Sequence, residues 1–111
     1  MHFSQLVPKA EHSEPFRWTH EKFVPDTSGC YALCSAAGTV LYVGLADNLR
    51  RRMGQHLSTP GKTIETPFGR AVLFHWIESD VVHSVERAWM NTHIQHEGTL
   101  PYLNRVFSPV G

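Results

Sequence analysis

Two tyrosines eleven residues apart, Tyr31 and Tyr42, are the first residues in this chain whose spacing suggests chemistry. They are centred on the Ala36–Ala37 bond, so an even-length hairpin loop there pairs them directly. Directly paired residues share a face, with Cβ atoms about 4.5 to 5.5 Å apart, and a one-residue slip would send them to opposite faces. The pair places two phenols side by side, or it is a cross-strand contact that only stabilises a hairpin. Ten residues past Tyr42 stands Arg52, and His56 lies four further on, the spacing that puts both on one helix face. A guanidinium grips phosphate through its planar fork, and an imidazole relays protons near neutral pH. The plainer reading of Arg50-Arg51-Arg52 is a solvated basic face. Glu86 borders an apolar stripe and could be half-buried there. Mg²⁺ commonly takes one or two protein carboxylates and completes its shell with water and phosphate, so one such glutamate suffices; most helix glutamates are simply solvated. Asn104 could hydrogen-bond a phosphate, hold the site together, or only shape a turn. His93 and His96, with Glu97 beside them, offer a zinc alternative, but no Cys or His pair elsewhere completes a recognised ligand pattern.

The elements that would carry these residues follow from pattern and punctuation. Gly29 to Cys34 and Thr39 to Val43 are short runs of strand formers separated by Ser35-Ala36-Ala37-Gly38, which predicts a β-hairpin. Asp47 is the expected N-cap of a helix reaching about Leu57, stopped by Ser58-Thr59-Pro60-Gly61. Residues 58 to 69 read as loop. Arg70 to Ile77 predicts a third strand, and Ser79 or Asp80 caps a helix that runs to Glu97 and stops at Gly98. Val82, Val85 and Trp89 give that helix its apolar face. Leu100 to Gly111 reads as an irregular or partly extended tail. The expected fold is therefore α/β of the α+β kind: a small three-stranded, mostly antiparallel sheet with flanking helices, in the order β-β-α-β-α. Residues 1 to 28 form an arm packed on the domain, with one short element near Phe16 to Phe23 whose rings Phe16, Trp18 and Phe23 dock on the body. Residues 29 to 105 make the domain, and 106 to 111 the tail.

Composition bounds the rest. A chain of 111 residues holds one core, and 41% apolar with 18% charged residues is ordinary for a globular protein. No stretch has the eighteen or so apolar residues of a membrane span. The first ten residues lack the features of a secretory signal, so the expected location is cytoplasmic. Cys30 and Cys34 lie in one strand, roughly 13 Å apart at about 3.3 Å per residue. They cannot bridge each other or share a metal, and read as small buried hydrophobes in a reducing compartment. The formal charge is zero, but residues 29 to 75 hold Arg50, Arg51, Arg52, Lys62 and Arg70 against Asp47 and Glu65, a net +3. That is a modest basic patch suited to nucleic-acid phosphates, with Arg50, Arg51, Lys62 and Arg70 as candidate contacts.

Gly29-Cys30-Tyr31, Tyr42-Val43-Gly44 and the arginine ten residues beyond resemble the GIY-YIG nuclease family, over roughly residues 28 to 105. The resemblance implies a metal-dependent endonuclease acting on DNA, with RNA also open, in repair, recombination or defence. It implies Tyr31 and Tyr42 on the catalytic face, one aiding deprotonation of the attacking water. Arg52 steadies the scissile phosphate, His56 helps move protons, Glu86 holds a single Mg²⁺ or Mn²⁺, and Asn104 matches a later asparagine. Cys30 and Val43 stand where the family name has isoleucines, as strand hydrophobes. Leu45 and Ala46 leave out the lysine that repair-type members carry hereabouts. The long targeting domains of the homing and excision-repair members are missing too, so target choice is expected from a protein partner, with the chain a monomer or homodimer. The other reading is a noncatalytic nucleic-acid-binding module of the same fold.

Overall fold

The computed structural model describes residues 1–107. Its centre is a four-stranded antiparallel sheet in the order β1-β4-β2-β3, built from β1 (His12–Pro15), β2 (Gly29–Cys34), β3 (Val40–Ala46) and β4 (Leu73–Glu78). The three expected strands are present and the fourth comes from the N-terminal segment: His12 pairs with Trp76 and Pro15 with Leu73. This strand was missed because His-Ser-Glu-Pro has no apolar alternation and ends in proline. Both features suit an outer strand with one free edge. β2 is buried along its whole length, as an inner strand covered on both faces should be.

The hairpin register differs from the expected one. Cys34 pairs with Val40 across a five-residue loop, and the register then shifts so that Leu33 pairs with Tyr42 and Tyr31 with Gly44. Leu41 is the extra residue of a bulge. Gly38 makes the odd-length loop feasible by taking a φ of 87°, a left-handed conformation that side chains resist. Tyr31 and Tyr42 are thus not directly paired, but the displacement is an even number of residues, so they stay on one face as diagonal neighbours.

Four α-helices flank the sheet among the described residues: α1 (Leu49–Leu57), α2 (Pro60–Thr63), α3 (Val82–Glu97) and α4 (Tyr102–Phe107). The N-cap of α1 is Asn48, not Asp47; its Oδ1 accepts the Arg51 N–H at 2.9 Å. α2 begins on Pro60, a residue preorganised for a helical start, inside what was expected to be loop. α3 ends where expected but starts later than a cap at Ser79 or Asp80 would set: Val81 is the N-cap and no side chain caps the start, while Ser79 Oγ accepts the Val81 N–H just outside the helix. The tail expected to be irregular contains α4, and its residues 108–111 lie outside the described range. A 3-10 helix, Trp18–Phe23, fills the place of the short element near Phe16 to Phe23. Of the three rings meant to dock, Phe16 alone enters the core; Trp18 and Phe23 stay 58% and 56% exposed.

The interior, expected as one core, is divided by the sheet into two clusters. One core, under α1, joins Tyr31, Leu33, Leu49, Met53, Phe74 and Trp76. The other joins Leu6, Cys30, Ala32, Cys34, Val43, Val85 and Trp89. Both cysteines are free and buried. No helix among the described residues is long and apolar enough to cross a membrane.

Candidate active site

Tyr31 stands at the middle of the candidate site. Its ring stacks on Phe74, centroids 5.1 Å apart, and is 1% exposed. A Cβ on Gly44 would fall against its hydroxyl and within 3.0 Å of its ring, so only glycine lets the phenol lie across the neighbouring strand. The hydroxyl is hydrogen-bonded to Nε2 of His56, with the imidazole tautomer deciding which of the two donates. The half-buried Tyr42 ring lies 6.1 Å from Tyr31 and meets His56 edge-on at 5.3 Å. Lys62, from α2, sets its ammonium 4.7 Å from the centre of the Tyr42 ring. The helix order explains the convergence. α1 carries Arg52 and His56 on one side, four residues apart, and the short α2 then turns Lys62 back onto Tyr42.

The charges of Arg52 and Glu86 both act on this phenol pair. Burial, then the proximity of Tyr42, pushes the Tyr31 hydroxyl well above the ordinary phenol range, with Arg52 opposing the rise. Burial also raises Tyr42, while its hydrogen bond with Tyr31 and the Arg52 charge pull the other way. Glu86 adds to both upward shifts. His56 is pushed down to about 4 by burial and by Lys62 and Arg52. At neutral pH the two phenols therefore keep their protons and the imidazole is uncharged. Glu86 is half-buried on α3, beside Val85, as its position at the border of the apolar stripe requires.

Other expected residues are placed differently. Asn104, 3% exposed, accepts the Val43 N–H at 2.8 Å and donates to the Val43 carbonyl at 2.9 Å. Its amide is engaged with the backbone between Tyr42 and Gly44, the geometry of a brace on β3. Arg50 donates to the Val24 carbonyl at 2.7 Å and pairs with Asp26 at 3.1 Å, tying the N-terminal segment to α1. Arg51 is exposed. Arg70 lies at the hairpin-loop end of the sheet, in a cleft with Ser35, Ala36, Ala37 and Glu65. The zinc alternative gains no geometry: His93 Nδ1 bonds to the Thr99 carbonyl at 2.6 Å, and Glu97 pairs with the Met1 ammonium. Among the described residues no three His, Cys, Asp or Glu side chains gather as a metal site. Lys62 was expected only as part of a basic patch. Its place over Tyr42 depends on α2, whose one sequence signal is Pro60. It brings to the phenols an ammonium that Leu45 and Ala46 do not supply.

The family model of the GIY-YIG catalytic domain matches residues 27–98, which include both tyrosines, Arg52, His56, Lys62 and Glu86. The chain belongs to the GIY-YIG family, a family of endonucleases. No curated protein matches the chain.

Proposed function

We propose that this chain is an endonuclease that hydrolyses DNA phosphodiester bonds with the help of one divalent metal ion, Mg²⁺ or Mn²⁺. The observation that carries the proposal is the convergence of Tyr31, Tyr42, His56 and Lys62, with the Tyr31 hydroxyl hydrogen-bonded to His56, at a place where the charges of Arg52 and Glu86, from separate helices, are also felt. Glu86 offers one hard carboxylate whose charge is felt at both phenols. This donor set fits a cation that draws its remaining ligands from water and substrate phosphate, and it lacks the several His and Cys ligands that zinc favours. A bound ion would supply Lewis-acid polarisation of the phosphoryl oxygen and stabilisation of the leaving oxygen.

The chain's own residues do the rest. Arg52 holds the scissile phosphate through its fork, and Lys62 adds positive charge at the same mouth. The attacking water gives its proton to a phenol oxygen as the phenol passes its own toward His56 Nε2. The water oxygen forms the new bond to phosphorus, the bond to the leaving oxygen breaks, and that oxygen takes a proton from solvent water, while His56 later returns its own to solvent. Neutral His56 is the resting acceptor, and an arriving phosphate anion near Lys62 and Arg52 raises its basicity. Asn104 acts by position, fixing the strand that carries Tyr42.

Residues 29 to 105 would form the catalytic unit, working in the cytoplasm in DNA repair, recombination or defence. Target choice would come from a protein partner, and the chain would act as a monomer or homodimer. The zero formal charge favours a second reading, a noncatalytic module that only binds nucleic acid. Plasmid cutting in Mg²⁺ or Mn²⁺, compared with chelator, separates the two. The expected outcome is metal-dependent nicking that Glu86→Ala lowers by about a thousandfold or more, with an unchanged circular dichroism spectrum. Undiminished cutting by that variant removes Glu86 from the metal site. Binding without any cutting by the unaltered chain establishes the second reading.

A further inference from the structure

Trp18 and Phe23, the two rings that do not dock, begin and end the 3-10 helix Trp18–Phe23. A lone exposed aromatic would mean little, but this helix is held firmly on α1. A Cβ on Gly54 would meet a Glu21 carboxylate oxygen at 2.6 Å and the Trp18 ring at 3.6 Å. Residues 18 and 21 share a face, as three residues per turn require, and that face lies on Gly54. Trp18 thus has one edge fixed on a helix while more than half of it remains open to solvent.

The charges around it favour an anion. Arg17, Lys22 and Arg51 are all exposed, and the Lys22 ammonium stands 5.3 Å from the Phe23 ring centre. Two of the neighbouring carboxylates have partners: Glu14 bonds His20 at 3.2 Å and Asp26 pairs with Arg50 at 3.1 Å. Glu21 lies over Gly54 and leaves the three exposed cations in excess. Exposed rings interleaved with exposed cations suit a polymer with a charged backbone and free base faces, which is single-stranded nucleic acid. A duplex keeps its base faces inside the stack.

The helix geometry connects this surface with the active site. At about 100° per residue, the outward arc of α1 runs from Gly54 past Arg51 and Gln55 to Arg52, about 160° in all, or roughly 15 Å over the helix surface. Arg51 and Gln55 are exposed along it. We infer that an unpaired stretch of the substrate runs from the site over Arg52, crosses Arg51 and Gln55, and stacks a base on Trp18. The inference rests on the nuclease reading for its inner end; the outer end rests on the Trp18 surface alone.

Trp76 and Trp89 are buried, so Trp18 is the indole that nucleic acid can reach. The test titrates the whole chain, in chelator, with an oligothymidylate and with a blunt duplex, reading tryptophan emission and the anisotropy of labelled strands. The single strand is expected to quench emission, and the duplex to do so far less. Trp18→Ala and Arg51→Ala should each weaken single-strand binding by roughly tenfold. Arg51→Ala should also reduce the salt dependence by about 0.7 in log–log slope. Equal quenching by the duplex, or wild-type single-strand affinity in both variants, overturns the track. Self-association of the free chain that buries Trp18 and abolishes quenching also overturns it. Cleavage is silent in chelator, so the two proposals fail separately. A chain that cuts DNA while its variants bind normally defeats the track alone. A chain that never cuts but loses single-strand binding in the variants defeats the nuclease reading alone.

Discussion

β2 sends its side chains into two cores of opposite character. Toward α1 it presents Tyr31, whose polar atom is kept inside an aromatic cluster by His56 and by the missing side chain at Gly44. Toward α3 it presents Cys30, Ala32 and Cys34, small residues packed among aliphatic ones and Trp89. Both faces hold buried titratable groups, and burial shifts all of them. On the α1 side the shifts are set against one another: phenols moved up, an imidazole moved down to about 4, and the charges of Arg52 and Glu86 acting between them. On the α3 side burial drives both thiols up to about 12, Glu86 adds to the rise at Cys30, and the Cys30 thiol donates to the Val82 carbonyl at 3.0 Å, which cannot take its proton. Burial alone silences a group, whereas burial beside a differently shifted partner leaves a proton with somewhere to go.

The contrast can be broken at its tightest point. Gly44→Ala puts a methyl group where the Tyr31 hydroxyl lies, and the buried ring has no room to retreat. It should lower stability by about 3 kcal/mol in urea unfolding. It should also reduce cutting by about a hundredfold, since small displacements of reacting groups carry penalties of that order. A fully stable and active Gly44→Ala chain would mean that the phenol position is not critical.

Acidity sharpens the comparison next. His56 has a folded value near 4, against 6.5 ordinarily. Between those values the unfolded chain binds the proton and the folded chain does not. The stabilisation is therefore complete above about pH 6.5 and is lost as pH falls through 4, an effect on the order of 2–3 kcal/mol. His56→Asn should flatten the acid limb of the stability curve by that amount. His75 and His93, also shifted down by burial, should leave a shallower slope in the variant. An unchanged acid limb would place the His56 ring in solvent. The smallest effect belongs to the quiet face. Cys34→Ala should cost about 1 kcal/mol and leave cutting unchanged. Neither thiol should react with a disulfide reagent at pH 8 until urea unfolds the chain.

Much of the site was legible in the sequence because its signals are local. Arg52 and His56 share a face by helical period, Glu86 borders a stripe defined by Val82, Val85 and Trp89, and Gly98 ends α3 with a left-handed φ of 76°. Chain symmetry about Ala36–Ala37 could not reveal a five-residue loop compensated by a bulge at Leu41, because a bulge depends on twist and on partners distant in sequence. The facing of the tyrosines survived since two residues is a whole strand period. β1 was hidden for a related reason: an outer strand is selected by the edge it finds, here β4, and needs little pattern of its own. Asn104 stood open among three roles, and Lys62 read as one charge of a basic patch. Their placement depends on α4 and α2, two short helices with weak signals that form by packing on the sheet.

The Asn104 clasp has one more consequence. β3 is an outer strand, and outer strands carry unpaired backbone groups that invite another chain to add itself. At Val43 both groups are occupied by the asparagine amide, with α4 lying over them. The residue that braces Tyr42 also works as a guard against polymerisation, so losing it would show in how crowded chains behave as well as in how one chain cuts.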